Sequence, residues 1–480
     1  MTWDWLVSLG LVVYGAALLA LSLRILMKRR PIGGTLAWLL FVYTLPVLGI
    51  FFYLLFGERY LGRLRAERAK RQFQFYSLWL QRILKTQRTL YPLNPLLRPV
   101  MELTRGSIGM PALTGGQWAL FDSADGLFES LKKDIDQAQR TIFLEFYILD
   151  DQGQVLNILA ALAAAAKRGV QVYLMLDSVG SHRFLGSRRC QRLIAAGVNI
   201  LDVLHANLLR MTLRRQDLRQ HRKLIAIDNR IAYTGSMNLA DPAFFNTQLG
   251  VGPWVDIMVK LQGDIARLIQ GTLIFDWEME TGVRLEAYLA APTFSDNNPP
   301  LMQLLPSGPA LDEDILLQVL LTAIHNARER IVLTSPYFVP DESLLQALKS
   351  AGKRGLEVTV IVPLKNDSKL AQYAGRSFYE ELLLAGVTIR RFTHGLLHTK
   401  TVIVDDHLVL IGSVNLDMRS IWLNFEATLV VDDIAFCEQM RAITDDYCLR
   451  SEQVLLSDWH QRPFYQRLLE NMAQLASPLL

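Results

Sequence analysis

Apolar residues open the chain in two nearly unbroken runs, 19 uncharged residues from Trp5 to Leu23 and 27 from Pro31 to Gly57. Each run is long enough to cross a bilayer. Together they predict two hydrophobic helices, 5–26 and 33–56, that form an N-terminal transmembrane helical hairpin. The first run lacks the preceding basic region and following small-residue cleavage site of a signal peptide, so it reads as an anchor. Pro46 and Gly49 interrupt the second run and leave a re-entrant or strongly tilted hairpin open. Downstream, short β-branched apolar strands alternate with helical periods, the pattern of an α/β body.

That body repeats itself. Thr141-Ile-Phe-Leu-Glu-Phe-Tyr-Ile matches Ile331-Val-Leu-Thr-Ser-Pro-Tyr-Phe, each an apolar strand reaching a tyrosine, Tyr147 or Tyr337. Ala164–Leu176 parallels Ser350–Val362, where a helix ends in Lys-Arg, a glycine caps it and a β-branched strand begins. His221 to Asn238 then parallels His398 to Asn415 without a gap. The repeat predicts two tandem α/β sandwich domains, 118–285 and 300–480, paired about a pseudo-two-fold axis. The turn-rich Ala291-Pro, Ser295–Pro300 and Ser307-Gly-Pro mark the boundary between them.

Charge refines the N-terminal reading. Residues 1–72 hold ten Lys/Arg against three Asp/Glu, while the whole chain is only +4. Arg24, Lys28, Arg29 and Arg30 favour a cytoplasmic loop between the runs, whereas Arg59, Arg63, Arg65, Arg68, Lys70 and Arg71 favour a cytoplasmic downstream flank. Two full spans cannot satisfy both clusters. The larger cluster places the body on the cytoplasmic side of a multi-pass inner-membrane protein, next to an anionic membrane surface. Cys190, Cys437 and Cys448 match no zinc or disulfide spacing and read as buried thiols.

The repeated segment carries the chemistry. Two-residue spacing sets His221 beside Lys223, and His398 beside Lys400, on one face of an extended strand. Asp228 and Asp405 follow seven residues after each histidine, at a hairpin turn, and take a mainly structural task. Ser236 and Asn238, with Ser413 and Asn415, return to the histidine end as neutral donors for phosphate oxygens. If the copies pair, both rings face one phosphodiester. One neutral imidazole attacks phosphorus while its protonated partner serves the leaving alkoxide, a division that predicts a bell-shaped pH profile. Glu426 and Asp256, at the starts of corresponding strands, are assigned the orientation of His398 and His221, in that order. The arrangement needs no metal or other cofactor, and the remaining histidines lack ligand spacing.

His-x-Lys-x-x-x-x-Asp followed by Gly-Ser-x-Asn, twice, resembles the phospholipase D superfamily. The two apolar segments, Gly57-Glu58 after the second, and Leu218-Arg-Gln-His-Arg-Lys resemble its bacterial cardiolipin synthases in particular; Gln220 stands where that family often has Asn. The resemblance implies transfer between two phosphatidylglycerol molecules, giving cardiolipin and glycerol through a phosphohistidine. It implies His221 as nucleophile and His398 as general acid/base, with Lys223, Asp228, Lys400 and Asp405 completing the motifs. Arg210, Arg214, Arg215, Arg219 and Arg222, interleaved with apolar residues, are expected to dock a rim on anionic lipid.

Three rivals remain on sequence grounds. The same motifs serve a phospholipase D that hydrolyses lipid, or a phosphatidyltransferase that uses another alcohol. A nuclease also uses them, but the near-neutral body lacks the basic stripe that nucleic acid requires, so no nucleic-acid partner is expected. A catalytically silent lipid-binding scaffold would have no use for two intact motifs. The oligomeric state stays open, a homo-oligomer included.

Overall fold

A computed structural model describes residues 2–28, 32–57, 63–86, 97–114, 116–205, 217–289, 300–309, 311 and 314–477. The expected boundary stretch at 290–299 and the basic segment 206–216 lie outside these residues. The chain divides into a small unit, Met1–Ala66 with Ala206–Leu218, and a large one, Glu67–His205 with Arg219–Leu480.

In the small unit the first apolar run forms one helix, Thr2–Met27, as expected. The second does not form a single helix 33–56: it splits into Ile32–Thr44 and Pro46–Phe56. Proline disfavours helical geometry in the residue before it, and Leu45 accordingly leaves the helical region at φ −127°, ψ 73°. The two pieces fold back on each other. Trp38 and Tyr53 meet edge to face with ring centroids 5.2 Å apart, and a Cβ on Gly49 would lie 2.6 Å from the Val42 Cα. Leu21, Ile25, Val42 and Tyr53 form the buried core of the unit, with Leu18, Trp38, Leu39 and Ile50 against it. The hairpin therefore packs on the C-terminal part of the first helix. Among the described residues only Val7–Met27 is helical, long and apolar enough to span a membrane.

The expected anchor boundary at 72 falls inside a helix, Arg63–Thr86. Its Tyr76 ring lies tilted against that of Phe275, with centroids 5.3 Å apart, and its hydroxyl meets that of Thr272, so this part of the helix belongs to the large unit.

The large unit holds both copies. The first forms a seven-stranded sheet in the order Trp118–Phe121, Met258–Gln262, Ile231–Gly235, Leu224–Ile227, Thr141–Phe146, Gln171–Asp177, Asn199–Val203. The second repeats that order with Leu301–Ser307, Glu426–Asp432, Leu408–Gly412, Thr401–Val404, Arg330–Thr334, Glu357–Pro363 and Thr388–Phe392. It adds an edge strand at each side, Ser451–Gln453 and Ala112–Thr114. The latter precedes the first copy in sequence yet pairs with Leu301–Ser307 of the second. The copies are thus two α/β repeats of one compact body, and the chain crosses between their sheets.

Helices cover the faces, as near-continuous apolar strands require. All six residues of Thr141–Phe146 are buried. The helix Asp264–Thr281 touches strands of both sheets and is buried on nearly every side, including the polar Gln270 and Asp276. Helix ends follow the sequence reading: Gly169 at φ 92° and Gly355 at φ 87° supply the left-handed residue after Val155–Lys167 and Glu342–Lys353. Cys190 and Cys437 are buried, but Cys448 is only partly so.

Candidate active site

His221 and His398 line one cavity of about 350 Å³, together with Tyr147, Arg219, Asn238, Trp254, Tyr337, Asp367, Asn415, Arg419 and Asn424. Both copies contribute. The pairing that brings them together is a mutual exchange of backbone: Leu396 and Leu397, just before His398, run parallel to Trp254 and Val255 of the first copy. Gln220, just before His221, bridges Phe425 of the second. The amide of His221 donates to the Phe425 carbonyl at 2.9 Å, and that of His398 to the Val255 carbonyl at 2.8 Å.

Each ring is consequently placed beside the carboxylate of the other copy. His221 Nδ1 lies 2.9 Å from both Glu426 oxygens, and His398 Nδ1 lies 2.8 Å from Asp256 Oδ1. The order expected from sequence, Glu426 with His398 and Asp256 with His221, is reversed. The reason is topological: the residues before each carboxylate, Phe425 and Val255, bond the amide of the opposite histidine. A carboxylate accepting from Nδ1–H fixes the tautomer and leaves the Nε2 lone pair for chemistry.

The serines also depart from expectation. Ser236 Oγ donates to Asp256 Oδ1 at 2.6 Å and accepts from the Ile257 amide at 3.0 Å. Ser413 donates to Glu426 Oε2 and accepts from the Ala427 amide. Neither lines the cavity, because the carboxylates already engage both hydroxyls; the serines hold carboxylates rather than phosphate. The glycine before each permits this approach. A Cβ on Gly235 would lie 2.8 Å from the Met258 Cα, and one on Gly412 equally close to the Thr428 Cα. Asn238 and Asn415 do line the cavity. Asn238 Oδ1 accepts from the Ile148 amide, which orients its NH₂ group.

Lys223 and Lys400 lie beneath the rings, not at the cavity surface. Each ammonium donates to the carbonyl of its own histidine, at 2.7 Å and 2.5 Å. Burial, opposed by Glu426 and reinforced by Lys400, brings Lys223 down to about 7. Burial, opposed by Asp256, brings Lys400 to about 8. Burial likewise lowers His221 to about 4 against the pull of Glu426, and His398 to about 3 against that of Asp256. For Asp256 burial works upward, but His398 and Lys400 overcome it and hold the carboxyl at about 2. Glu426 is held low in the same way, by His221 and Lys223. In the protein alone, then, burial favours the neutral form of both rings, beside carboxylates held in their ionised form.

Asp228 and Asp405 stand at the far ends of their strands, outside the cavity. Asp228 accepts from the amides of Gln139, Arg140 and Thr141 at 2.8 Å each. Asp405 accepts from those of Arg328, Glu329 and Arg330. Each sits at positive φ in the hairpin turn, 53° and 49°. Each carboxylate ties its turn to the start of the neighbouring strand.

Of the arginines expected at a lipid rim, Arg222 is buried, ion-paired with Asp276 and donating to the Glu426 carbonyl at 2.9 Å. Arg219 lines the cavity. Arg210, Arg214 and Arg215 lie outside the described residues. Gln220 is buried, its amide donating to Glu145 and its backbone to Asp177. Tyr147, at 5.1 Å from the His221 ring, Trp254, at 4.2 Å from the His398 ring, and Arg419 were not singled out as site residues from sequence. The parallel placement of Tyr147 and Tyr337 at the ends of matching strands was the available signal. Among the described residues no group of three His, Cys, Asp or Glu is arranged to hold a metal ion.

Comparison with known proteins follows the same division. The family described as "Cardiolipin synthase, PLD-like domain" matches residues 131–251 and 320–447, and "Phospholipase_D-nuclease N-terminal" matches 16–58. A cardiolipin synthase A of Serratia proteamaculans is 44% identical over 99% of this chain and 98% of its own. Another, from Proteus mirabilis, is 41% identical over 97% of each. The crystal structure of a Haemophilus influenzae phosphatidylserine synthase, 15% identical, superposes with a TM-score of 0.59 over 80% of this chain and 100% of that one, and so shares the fold.

Proposed function

This chain belongs to the phospholipase D-like cardiolipin synthase family, and from that premise we propose that it joins two phosphatidylglycerol molecules into cardiolipin and glycerol at the paired histidines. The observation that carries the reading is the crossed arrangement: two imidazoles, one from each copy, share a cavity, and each has its Nδ1 on a carboxylate of the other copy.

The donor's phosphodiester sits between the rings. Nε2 of His221 attacks phosphorus as the bond to the headgroup glycerol breaks, and His398 gives that alkoxide its proton. A second phosphatidylglycerol then presents a headgroup hydroxyl. His398 removes its proton, the oxygen displaces His221 from phosphorus, and cardiolipin leaves with both rings restored. One phosphodiester is exchanged for another, so no nucleotide is consumed. His398 is neutral in the protein alone and takes up its proton when the anionic phosphodiester arrives. The buried lysines beneath the rings stabilise the negative charge that builds on the phosphorane.

Purified protein in vesicles of labelled phosphatidylglycerol should yield cardiolipin and glycerol in equal amounts, and His221→Ala or His398→Ala should remove both products. Phosphatidic acid as the main product would favour a hydrolase instead, and undiminished turnover by either variant would end the proposal.

The folded-back second run also bears on the membrane. At about 1.5 Å per residue, the 13-residue helix Ile32–Thr44 reaches about 20 Å, short of a hydrocarbon core of about 30 Å. One spanning helix followed by a re-entrant hairpin leaves Arg24–Arg30 and Arg59–Arg71 on the same side. Both basic clusters are then cytoplasmic, which two full spans do not allow. The packing of the hairpin on the C-terminal part of the first helix, near the first cluster, supports this. A cysteine at Thr2 should react with an impermeant maleimide from outside intact cells, and one at Leu45 should not.

A further inference from the structure

The two copies agree at the rings and disagree at one side of the cavity. Aligned without a gap from each histidine, Arg219 corresponds to Leu396 and Arg419 to Pro242. Neither arginine has a charged counterpart in the other half, yet both line the shared cavity and both are half-buried.

Their backbones are also held by one segment. The Arg219 carbonyl accepts from the Phe425 amide at 2.9 Å, and the Arg419 carbonyl accepts from the Leu423 and Asn424 amides at 2.8 and 3.0 Å. Both residues are therefore pinned to the same three-residue segment just before Glu426. Both guanidinium groups are near enough to act on the Tyr147 phenol. Asp177 lies near Arg219 and Asp417 near Arg419. Asp177 is taken up by the amides of Val179, Gly180 and Gln220, and Asp417 caps the Ser420 amide.

At the rings, two ionised carboxylates face two lysines, and that set serves the single negative charge of the donor. The reaction brings in a second one. The acceptor attacks through a headgroup hydroxyl but carries its own phosphodiester at the other end of the same glycerol. Water and simple alcohols carry none. Paired guanidinium groups recognise such an anion through several charge-assisted hydrogen bonds.

We propose that Arg219 and Arg419 form a second phosphate subsite that binds the phosphodiester of the acceptor lipid, so that the phosphatidyl group passes to a phospholipid hydroxyl in preference to water or a neutral alcohol. The proposal rests on the transferase reading above.

The test compares two acceptors with one donor. Phosphatidylglycerol vesicles with labelled glycerol report exchange into phosphatidylglycerol, which uses a neutral acceptor; cardiolipin formation in the same vesicles uses an anionic one. Arg219→Gln and Arg419→Gln should lower the ratio of cardiolipin to exchange by roughly tenfold each, the scale of a lost charge-assisted hydrogen bond. The share of phosphatidic acid should rise. A ratio unchanged from the parent, whether both rates fall together or neither does, would overturn the subsite. If a variant unfolds early in a thermal scan, Arg219→Lys and Arg419→Lys are read by the same ratio. Failure of the transferase reading looks different, since the parent protein itself would then make no cardiolipin.

Discussion

The first copy holds its histidine segment with a buried guanidinium, the second with a hydroxyl. Between His221 and Lys223 stands Arg222, paired with Asp276 and bonded to the carbonyls of Glu426 and Ser307. Between His398 and Lys400 stands Thr399, whose hydroxyl donates to Thr334 at 3.0 Å. The catalytic pattern is the same on both sides, but only Arg222 reaches across to the other copy. The chemistry tolerates two scaffolds because it depends on ring, carboxylate and cavity. The cohesion of the halves leans on one of them.

Removing a carboxylate partner probes what the copies share, and gives the largest expected loss of rate. Glu426→Gln and Asp256→Asn should each reduce cardiolipin formation by about 100-fold or more, since the ring loses its tautomer and orientation. Because the pairing crosses, a phosphohistidine trapped on His221 should become scarce in Glu426→Gln and not in Asp256→Asn. The opposite pattern would restore within-copy pairing or exchange the roles of the rings.

Next in size is the difference in cohesion. Asp276→Asn strands a buried guanidinium and should cost about 3–5 kcal/mol of stability. Thr399→Val removes one hydroxyl contact and should cost about 1 kcal/mol. Chemical denaturation of the two variants checks the order; equal losses would show that the copies cohere alike.

The smallest effect is that of pH. With Lys223 at about 7 and Lys400 at about 8, raising the pH neutralises first one ammonium and then the other. Attraction for the phosphodiester weakens accordingly, so kcat/KM should decline above about pH 7. Below that range kcat/KM is governed by the proton that His398 must gain, which the free ring, at about 3, holds only in strong acid. Bound substrate, being anionic, raises all four groups, so the alkaline fall in kcat should lie at higher pH than that in kcat/KM. Coincident profiles would argue against lysines beneath the phosphate.

Much of this was legible in the chain. The duplication appeared as matched strings, and the strand order of the two sheets follows it strand for strand. The hairpin role of Asp228 and Asp405 follows from turn chemistry that acts over a few residues. The split of the second apolar run was half visible in Pro46. The serines were misread because spacing tells which end of a strand a side chain returns to, and says nothing about which neighbour it bonds there.

What the sequence determined by itself, then, was local or periodic: two histidine motifs, two α/β repeats, an apolar N-terminus, and candidates for each role. The tertiary structure alone decided the partnerships, since hydrogen bonds between copies link residues more than a hundred positions apart. His221 to Glu426, His398 to Asp256, and Arg219 held by the segment that also holds Arg419 all depend on how two sheets pair. No pattern within one copy carries that information, because the energy of a crossed contact belongs to the interface and not to either strand.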